Sequence, residues 1–296
     1  MRKKIKSIIL LILCAVIWGA AFVAQSVGME YIGPYTFQAV RCFLALAELL
    51  PIIALVDLIC KKNFLTGWRS AQLWKAGILC GIPLFLATIL QQYALVETDA
   101  GKSAFLTAMY IIFVPIINIF RKKKPSAFNL IGSLLACVGL YFLCCFGVSQ
   151  LNSNDLILLG CALMFAIQIL FIDLYAQEVD VIRLHFIQIL VCFILSAVLM
   201  FLTEKPTWAN IWDCKIPLAY AGMLSMGIAY LFQIIGQKGL DPTPSSIIMS
   251  MESVFAVLFG ALLLHERLNQ WEIIGCTLLL IAVILSQIPG RKNCAA

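Results

Sequence analysis

The chain has 296 residues, 62% hydrophobic and 12% charged, with a mean hydropathy of +1.00 and a formal net charge of +6. Soluble chains average roughly 45–50% apolar and about 25% charged residues, so a soluble enzyme or a nucleic-acid-binding domain is excluded. The composition is that of an all-α polytopic membrane protein.

The first apolar run follows Met-Arg-Lys-Lys and covers 5–28. It is too long for the short apolar core of a cleavable signal peptide, and it is read as a retained span. Nine more follow, at about 34–60, 73–96, 102–120, 126–147, 155–176, 181–203, 216–238, 244–265 and 271–289. Each is near the roughly 20 residues that a helix needs to cross the hydrocarbon core. With the N-terminus inside, sixteen Lys and Arg fall in the inner segments and four (Lys102, Lys205, Lys215 and Arg267) in the outer ones. The positive-inside rule then predicts a multi-pass protein of the cell (inner) membrane with both termini cytoplasmic. This asymmetry accounts for the net charge without a nucleic-acid partner, and it sets the basic loops against anionic membrane lipids.

The twelve cysteines are scattered, mostly inside apolar runs, as at Cys14, Cys42, Cys80, Cys137, Cys161, Cys192 and Cys276. No CxxC or Cys/His cluster is present, so no metal, cofactor or disulfide framework is expected. The adjacent Cys144 and Cys145 read as helix packing.

An internal repeat divides the chain into 1–147 and 148–296. At an offset of 143, Gly132 in LIGSLLACVGL falls on Gly275 in IIGCTLLLIAV, Ser103 on Ser246, and Thr107 on Ser250. Earlier in each half the offset is 147, which sets Trp18 on Phe165 and Arg41 on Gln188. Five spans per half is an odd number, so the second half enters the membrane the other way up. The expected fold is ten transmembrane helices as two inverted five-helix repeats, an arrangement typical of secondary transporters with a midplane site.

Polar groups inside the spans are the candidates for function. Glu252 opens the apolar run MESVFAVLFGALLLHERL, which Gly260 interrupts and which ends at His265, Glu266 and Arg267. A charge at the centre of a spanning helix costs roughly 2.5–3.5 kcal/mol on insertion scales. Glu252 is therefore either a functional group in a cavity or a protonated carboxyl bonded to a neighbouring helix. Arg41 and Glu48 are two helical turns apart and share a face. Arg41 has two readings, a fork that holds a substrate carboxylate or phosphate, or an ion pair with Glu48 or another acid. Asp57 reads as an interfacial charge near Lys61, and His185 as an interfacial histidine one turn from Gln188. Gln91, Gln92, Gln168, Gln188 and Gln233, with Tyr93 and Tyr230 nearby, suit a polar small-molecule cavity or act as interhelical bonds. Thr98 or Asp99 is the expected cap of the fourth span, and Thr243, with Pro244 after it, that of the ninth. Lys102 adds charge on the outer side. Glycines such as Gly19, Gly139 and Gly275 allow close helix approach, while Gly222 to Gly227 and the Gly81/Pro83 pair are possible flexing points.

AVIWGAAFV in the first span, ALVETDAGKSAFL before the fourth and ESVFAVLFGALLLHERLNQWEIIG in the ninth and tenth resemble EamA domains of the drug/metabolite transporter superfamily. The resemblance covers essentially the whole chain as two tandem repeats. It implies a cavity surrounded by the first four helices of each half, with the fifth outside, and transport of small metabolites, often export. The chain departs from the pattern at Ser253 and Tyr110, where relatives often carry proline. The fourth span has Pro115 instead, so the cavity-shaping kinks are expected to be displaced.

The resulting expectation is a secondary transporter that exports amino acids or related small molecules by alternating access. Arg41 would hold a carboxylate. Glu252 would meet an amine or carry a proton, the candidate coupling ion. Multidrug transport, using Trp18, Tyr110, Phe255 and Glu252, and transport of lipid-linked or nucleotide sugars are the alternatives. No Gly-rich nucleotide loop is present, so ATP is not the direct energy source. Glu252, His185 and Asp173 lie on three different spans without catalytic spacing, so the chain is not expected to be an enzyme.

Overall fold

The computed structural model describes residues 2–98, 100–123, 125–144, 153–264 and 269–288. Asp99, Cys145, His265, Glu266 and Arg267, all named above, lie outside the described residues. Within them the fold is all-helical, with no strand.

In chain order the helices are α1 (Arg2–Gly28), α2 (Pro34–Ile59), a 3₁₀ turn (Thr66–Trp68), α3 (Ala71–Ala94), α4 (Ala100–Thr107), α5 (Tyr110–Phe120), α6 (Ala127–Cys144), α7 (Ser153–Tyr175) and α8 (Val181–Thr203). Then come α9 (Trp208–Asp213), α10 (Lys215–Ala219), a π-helical segment (Tyr220–Ala229), α11 (Tyr230–Gln237), α12 (Pro242–Met249), α13 (Glu252–Leu264) and α14 (Gln270–Ser286). Eight segments are long and apolar enough to cross a membrane, and two shorter apolar helices cover 127–143 and 270–286. Large apolar side chains such as Leu134, Val198, Phe201 and Ile284 are exposed on the outside of the bundle. A hydrocarbon solvent accommodates such a surface, whereas water would not.

Two of the apolar runs come out as broken helices. Between α4 and α5 the backbone tightens, with Met109 N donating to Leu106 O at 3.2 Å and Ile111 N to Ala108 O at 3.0 Å. Between α12 and α13, Met251 N donates to Ile248 O and Ser253 N to Ser250 O, both at 3.2 Å. Ser250 Oγ also donates back to Ile247 O at 2.8 Å, a local bond that competes with the helical ladder and bends it. The breaks therefore form without the prolines that relatives often carry at these positions. Pro115 lies inside α5, so the kink in the first half is not displaced there.

The helix starts also differ from the expectation. Pro242 opens α12 after its N-cap Asp241, two residues earlier than the expected Thr243 and Pro244. Thr98 Oγ1 is buried without a hydrogen-bond partner and does not cap α4.

The core is built from helices far apart in the chain. α6 packs along α14, α3 against α7 and α8, α2 against α8, and α1 against α13, α11 and the π-helical segment. The α6–α14 seam is closest at its glycines. A Cβ on Gly275 would lie 2.6 Å from Gly139 O, and one on Gly132 would lie 3.2 Å from Ala282 O.

Candidate functional site

A cavity with about 470 Å³ of atom-free space, part of it continuous with solvent, lies where the two breaks face α1, α2, α7 and α11. Its walls carry Trp18, Phe22 and Gln25 from α1, Arg41 from α2, Gln91 from α3 and Phe165 and Ile169 from α7. Ser225 and Met226 come from the π-helical segment, Tyr230 and Gln233 from α11, and Thr107, Tyr110, Met249 and Glu252 from the breaks. α6 and α14 contribute nothing, as the resemblance implies, whereas α8, which the resemblance sets around the cavity, contributes no lining residue either.

Arg41 is 2% exposed. Its Nε donates to Gln38 Oε1 at 2.7 Å, Nη2 donates to the same oxygen, and Nη1 donates to Gln25 Oε1. The amide nitrogens of both glutamines are engaged elsewhere, that of Gln38 on Thr88 Oγ1 at 2.8 Å and that of Gln25 on Ala21 O at 3.1 Å. Those bonds turn the two carbonyl oxygens towards the guanidinium. The Phe37 ring lies 5.6 Å from Cζ, within the range of a cation–π contact. All the partners are neutral. The ion pair with Glu48 or another acid, one of the two readings of Arg41, does not form among the described residues: two turns separate Glu48 from Arg41, and its Oε2 is buried against Gly227, off the cavity, without a hydrogen bond.

Glu252 is 4% exposed, and its Oε1 accepts a hydrogen bond from Tyr110 Oη at 2.9 Å. The two broken helices thus meet through a phenol–carboxyl contact, and Ser253 Oγ donates to Ala104 O at 3.4 Å beside it. Aromatic rings flank it, with Trp18 and Tyr230 4.7 Å apart between centroids and Tyr110 and Phe165 6.4 Å apart. Trp18 Nε1 is buried without a hydrogen-bond partner.

The glutamines divide. Gln91 reaches Thr107 Oγ1 at 3.2 Å, and Gln233 clasps Gln168 in a reciprocal amide pair at 3.1 and 3.4 Å. Gln168 thus backs a lining residue without lining the cavity itself. Gln92 lies away from it, with its nitrogen on Met29 Sδ at 3.1 Å. Gln188 holds His185 Nδ1 at 2.9 Å, while His185 Nε2 bonds Gly227 O at 2.8 Å. A carbonyl accepts only, so His185 carries its proton on Nε2 and Nδ1 accepts from Gln188. His185 is fully buried between α8 and the π-helical segment, not interfacial as its position near the span end suggested.

Asp57 is likewise not a loose interfacial charge, because it is buried in an ion pair with Arg183. Lys102 is tied to Asp155 at 2.8 Å. Asp173 pairs with Lys123 at 3.0 Å and Arg121 at 3.7 Å, so Glu252, His185 and Asp173 share no site. Sequence reasoning missed Gln25, Gln38 and Ser225. For Gln38 the signal was present, since it precedes Arg41 by one helical turn and shares its face.

A bundle of apolar helices around a cavity of mixed aromatic and polar lining, with one buried cation and one buried carboxyl, is the build of a membrane transporter. The chain belongs to the EamA-like transporter family, whose profile matches residues 5–145 and 152–287. It is similar to an uncharacterized transporter of Archaeoglobus fulgidus, 32% identical over 281 residues, covering 93% of this chain and 83% of the relative. It is also similar to the uncharacterized transporter YoaV of Bacillus subtilis, 25% identical over 298 residues, covering 95% and 97% of the two chains. A solved crystal structure shares the fold at a TM-score of 0.78 and 15% identity, covering 95% of this chain and 96% of that one.

Proposed function

We propose that the protein is a secondary transporter that exports amino acids or related small polar metabolites by alternating access around this cavity. The observation that carries the reading is Arg41, a buried cation on the cavity wall that forms no ion pair among the described residues. A buried charge without a counter-charge is costly in a membrane interior, and a substrate carboxylate supplies that counter-charge in a geometry that the guanidinium fork matches. Glu252 on the facing break meets the substrate amine or carries the coupling proton.

The chain crosses the membrane ten times on this reading, as inverted repeats of residues 1–147 and 148–296, with both termini in the cytoplasm of the cell membrane. Helix packing supports the repeat. Exchanging residues by the offset of 143 turns the Gly132–Ala282 approach into the Gly139–Gly275 approach. Exchanging by 147 turns the bonded pair Gln38–Arg41 into the bonded pair His185–Gln188. The helix breaks also correspond, since Thr107 falls on Ser250, and matched discontinuities are how transporter repeats build a midplane site.

The deciding experiment is counterflow in proteoliposomes preloaded with unlabelled amino acids, with entry of the labelled compound followed. Accelerated entry supports the reading. No exchange of any amino acid, alongside accelerated exchange of an apolar cation, favours the multidrug alternative, for which the rings of Trp18, Tyr230, Phe165 and Tyr110 around Glu252 are the supporting observation. With Glu252 as the proton carrier, Glu252→Gln is expected to abolish proton movement coupled to substrate while substrate exchange persists, read with a pH dye trapped in the vesicles; with Glu252 on the substrate amine, exchange is expected to weaken as well. Proton movement that survives the substitution removes Glu252 from coupling.

A further inference from the structure

α2 and α8 pack along each other, and each end of this pair is fastened by one acid. At one end, Asp57 near the C-terminus of α2 is buried against the Arg183 guanidinium in the first turn of α8. Arg183 Nη1 also reaches Asp180 at 3.3 Å, Nη2 reaches Phe64 O at 3.4 Å, and the Trp68 ring lies 5.3 Å from Cζ. At the other end, Glu204, the residue after α8, accepts hydrogen bonds from the first turn of α2: from Tyr35 N at 3.1 Å, Thr36 N at 2.8 Å and the Thr36 hydroxyl. The N-cap of α2 is Gly33, which has no side chain to offer, so Glu204 supplies from another helix the cap that α2 lacks.

The two fastenings are one contact used twice. The repeat offset of 147 carries Thr36 to Arg183 and Asp57 to Glu204. Each acid at the end of one helix therefore holds the equivalent first-turn position of the other, at opposite ends of the pair. A glycine roofs each contact as well. A side chain on Gly67 would strike the Arg183 guanidinium, and one on Gly33 would strike the Glu204 carboxylate.

Taking the inverted-repeat transporter reading as its basis, we propose that these contacts are the two latches of the transport cycle. Asp57–Arg183 closes the cavity towards one membrane face and Glu204–Thr36 closes it towards the other. Both are made in this structure. Two rigid helices in contact along their length part at one end by pivoting, which keeps the other end together. Opening therefore alternates, as a carrier requires if it is not to leak. α8 holds both latches and lines no part of the cavity, which fits a helix that gates without binding.

The test is sided labelling of a reporter cysteine, Ser225→Cys on the cavity wall, by a membrane-impermeant maleimide in vesicles of either orientation. The rate is read as the increment over the same variant without the reporter. Asp57→Asn and Gly67→Ala are expected to raise labelling at least threefold from one face only. Glu204→Gln and Gly33→Ala are expected to do so from the opposite face only. Gly67→Ala and Gly33→Ala keep every charge, so they carry the test alone if a charge variant loses its fold. Unchanged labelling in both glycine variants, or a rise from the same face in both, overturns the proposal. Labelling needs no substrate, so failure of every amino acid in counterflow would overturn the substrate reading and leave this result standing.

Discussion

Replacing Arg41 with glutamine is expected to lower affinity for carboxylate-bearing substrates by about 2–5 kcal/mol, roughly 30-fold to several thousand-fold, the usual cost of removing one partner from a buried hydrogen-bonded charge pair. The specific readout is the ratio of affinities for an amino acid and its amide. Wild type is expected to prefer the acid strongly, and Arg41→Gln to bind both about equally. Arg41→Lys keeps the charge and loses the planar fork, so it is expected to fall between them. Gln25 and Gln38 make the comparison informative. They satisfy part of the guanidinium with neutral oxygens, so its position does not depend on a bound carboxylate while its charge has no acidic counterpart among the described residues. Retention of the acid-over-amide preference in Arg41→Gln would assign Arg41 a purely structural role.

Gly275→Leu is expected to act on a different quantity. The added Cβ would lie 2.6 Å from Gly139 O and 2.7 Å from Leu143 N. Both are backbone atoms that no rotamer change can move, so α6 and α14 must separate. Overpacking typically costs about 1–3 kcal/mol, and a clash with backbone belongs at the upper end. In detergent the apparent Tm is expected to fall by several degrees, read by intrinsic fluorescence. Gly101→Leu is the control, because a Cβ there meets nothing within 4 Å. Since neither α6 nor α14 lines the cavity, substrate affinity of the Gly275→Leu protein that remains folded is expected to stay at the wild-type value. A change in affinity without a change in Tm would contradict this division between seam and site.

The difference between these two substitutions reflects what the sequence made legible. Apolar runs gave the helices almost to the residue, because hydrophobic length is what the bilayer selects. The alignment of Gly132 with Gly275 marked the repeat, because small residues at an offset survive as letters in the chain, but not that α6 and α14 pack on each other, where Gly132 meets Ala282 and Gly275 meets Gly139. Arg41 and Glu252 stood out because a charge in an apolar run is conspicuous. The partners of those charges were not legible. Tyr110 was singled out with Glu252 but not as its hydrogen-bond partner, Gln38 showed only as a face-mate of Arg41 one turn away, and Gln25 gave no signal. The choice between Glu48 and the amides rests on the two helical turns that separate Arg41 from Glu48 along α2. Asp57 and His185 were misread for a related reason. Nearness to a span end suggested solvent, but the connection containing Phe64 and Trp68 covers Arg183, and the π-helical segment covers His185. The helix breaks were hidden because tight backbone turns at Ser250 and Met109 need no proline. Glu204 gave no signal at all, since its partners are backbone amides.

The neutral partners of Arg41 also bear on how the chain is made. Synthesis runs from the N-terminus, and Gln25 and Gln38 both precede Arg41 in the chain. When this arginine is handed to the bilayer, its hydrogen-bond acceptors have already emerged on the first two helices, long before any residue of the second half exists. An acidic partner drawn from a late helix would have left the cation stranded in lipid during biogenesis. The first hairpin thus carries both acceptors of the guanidinium, and only Thr88 on α3, which orients the Gln38 amide, has still to follow.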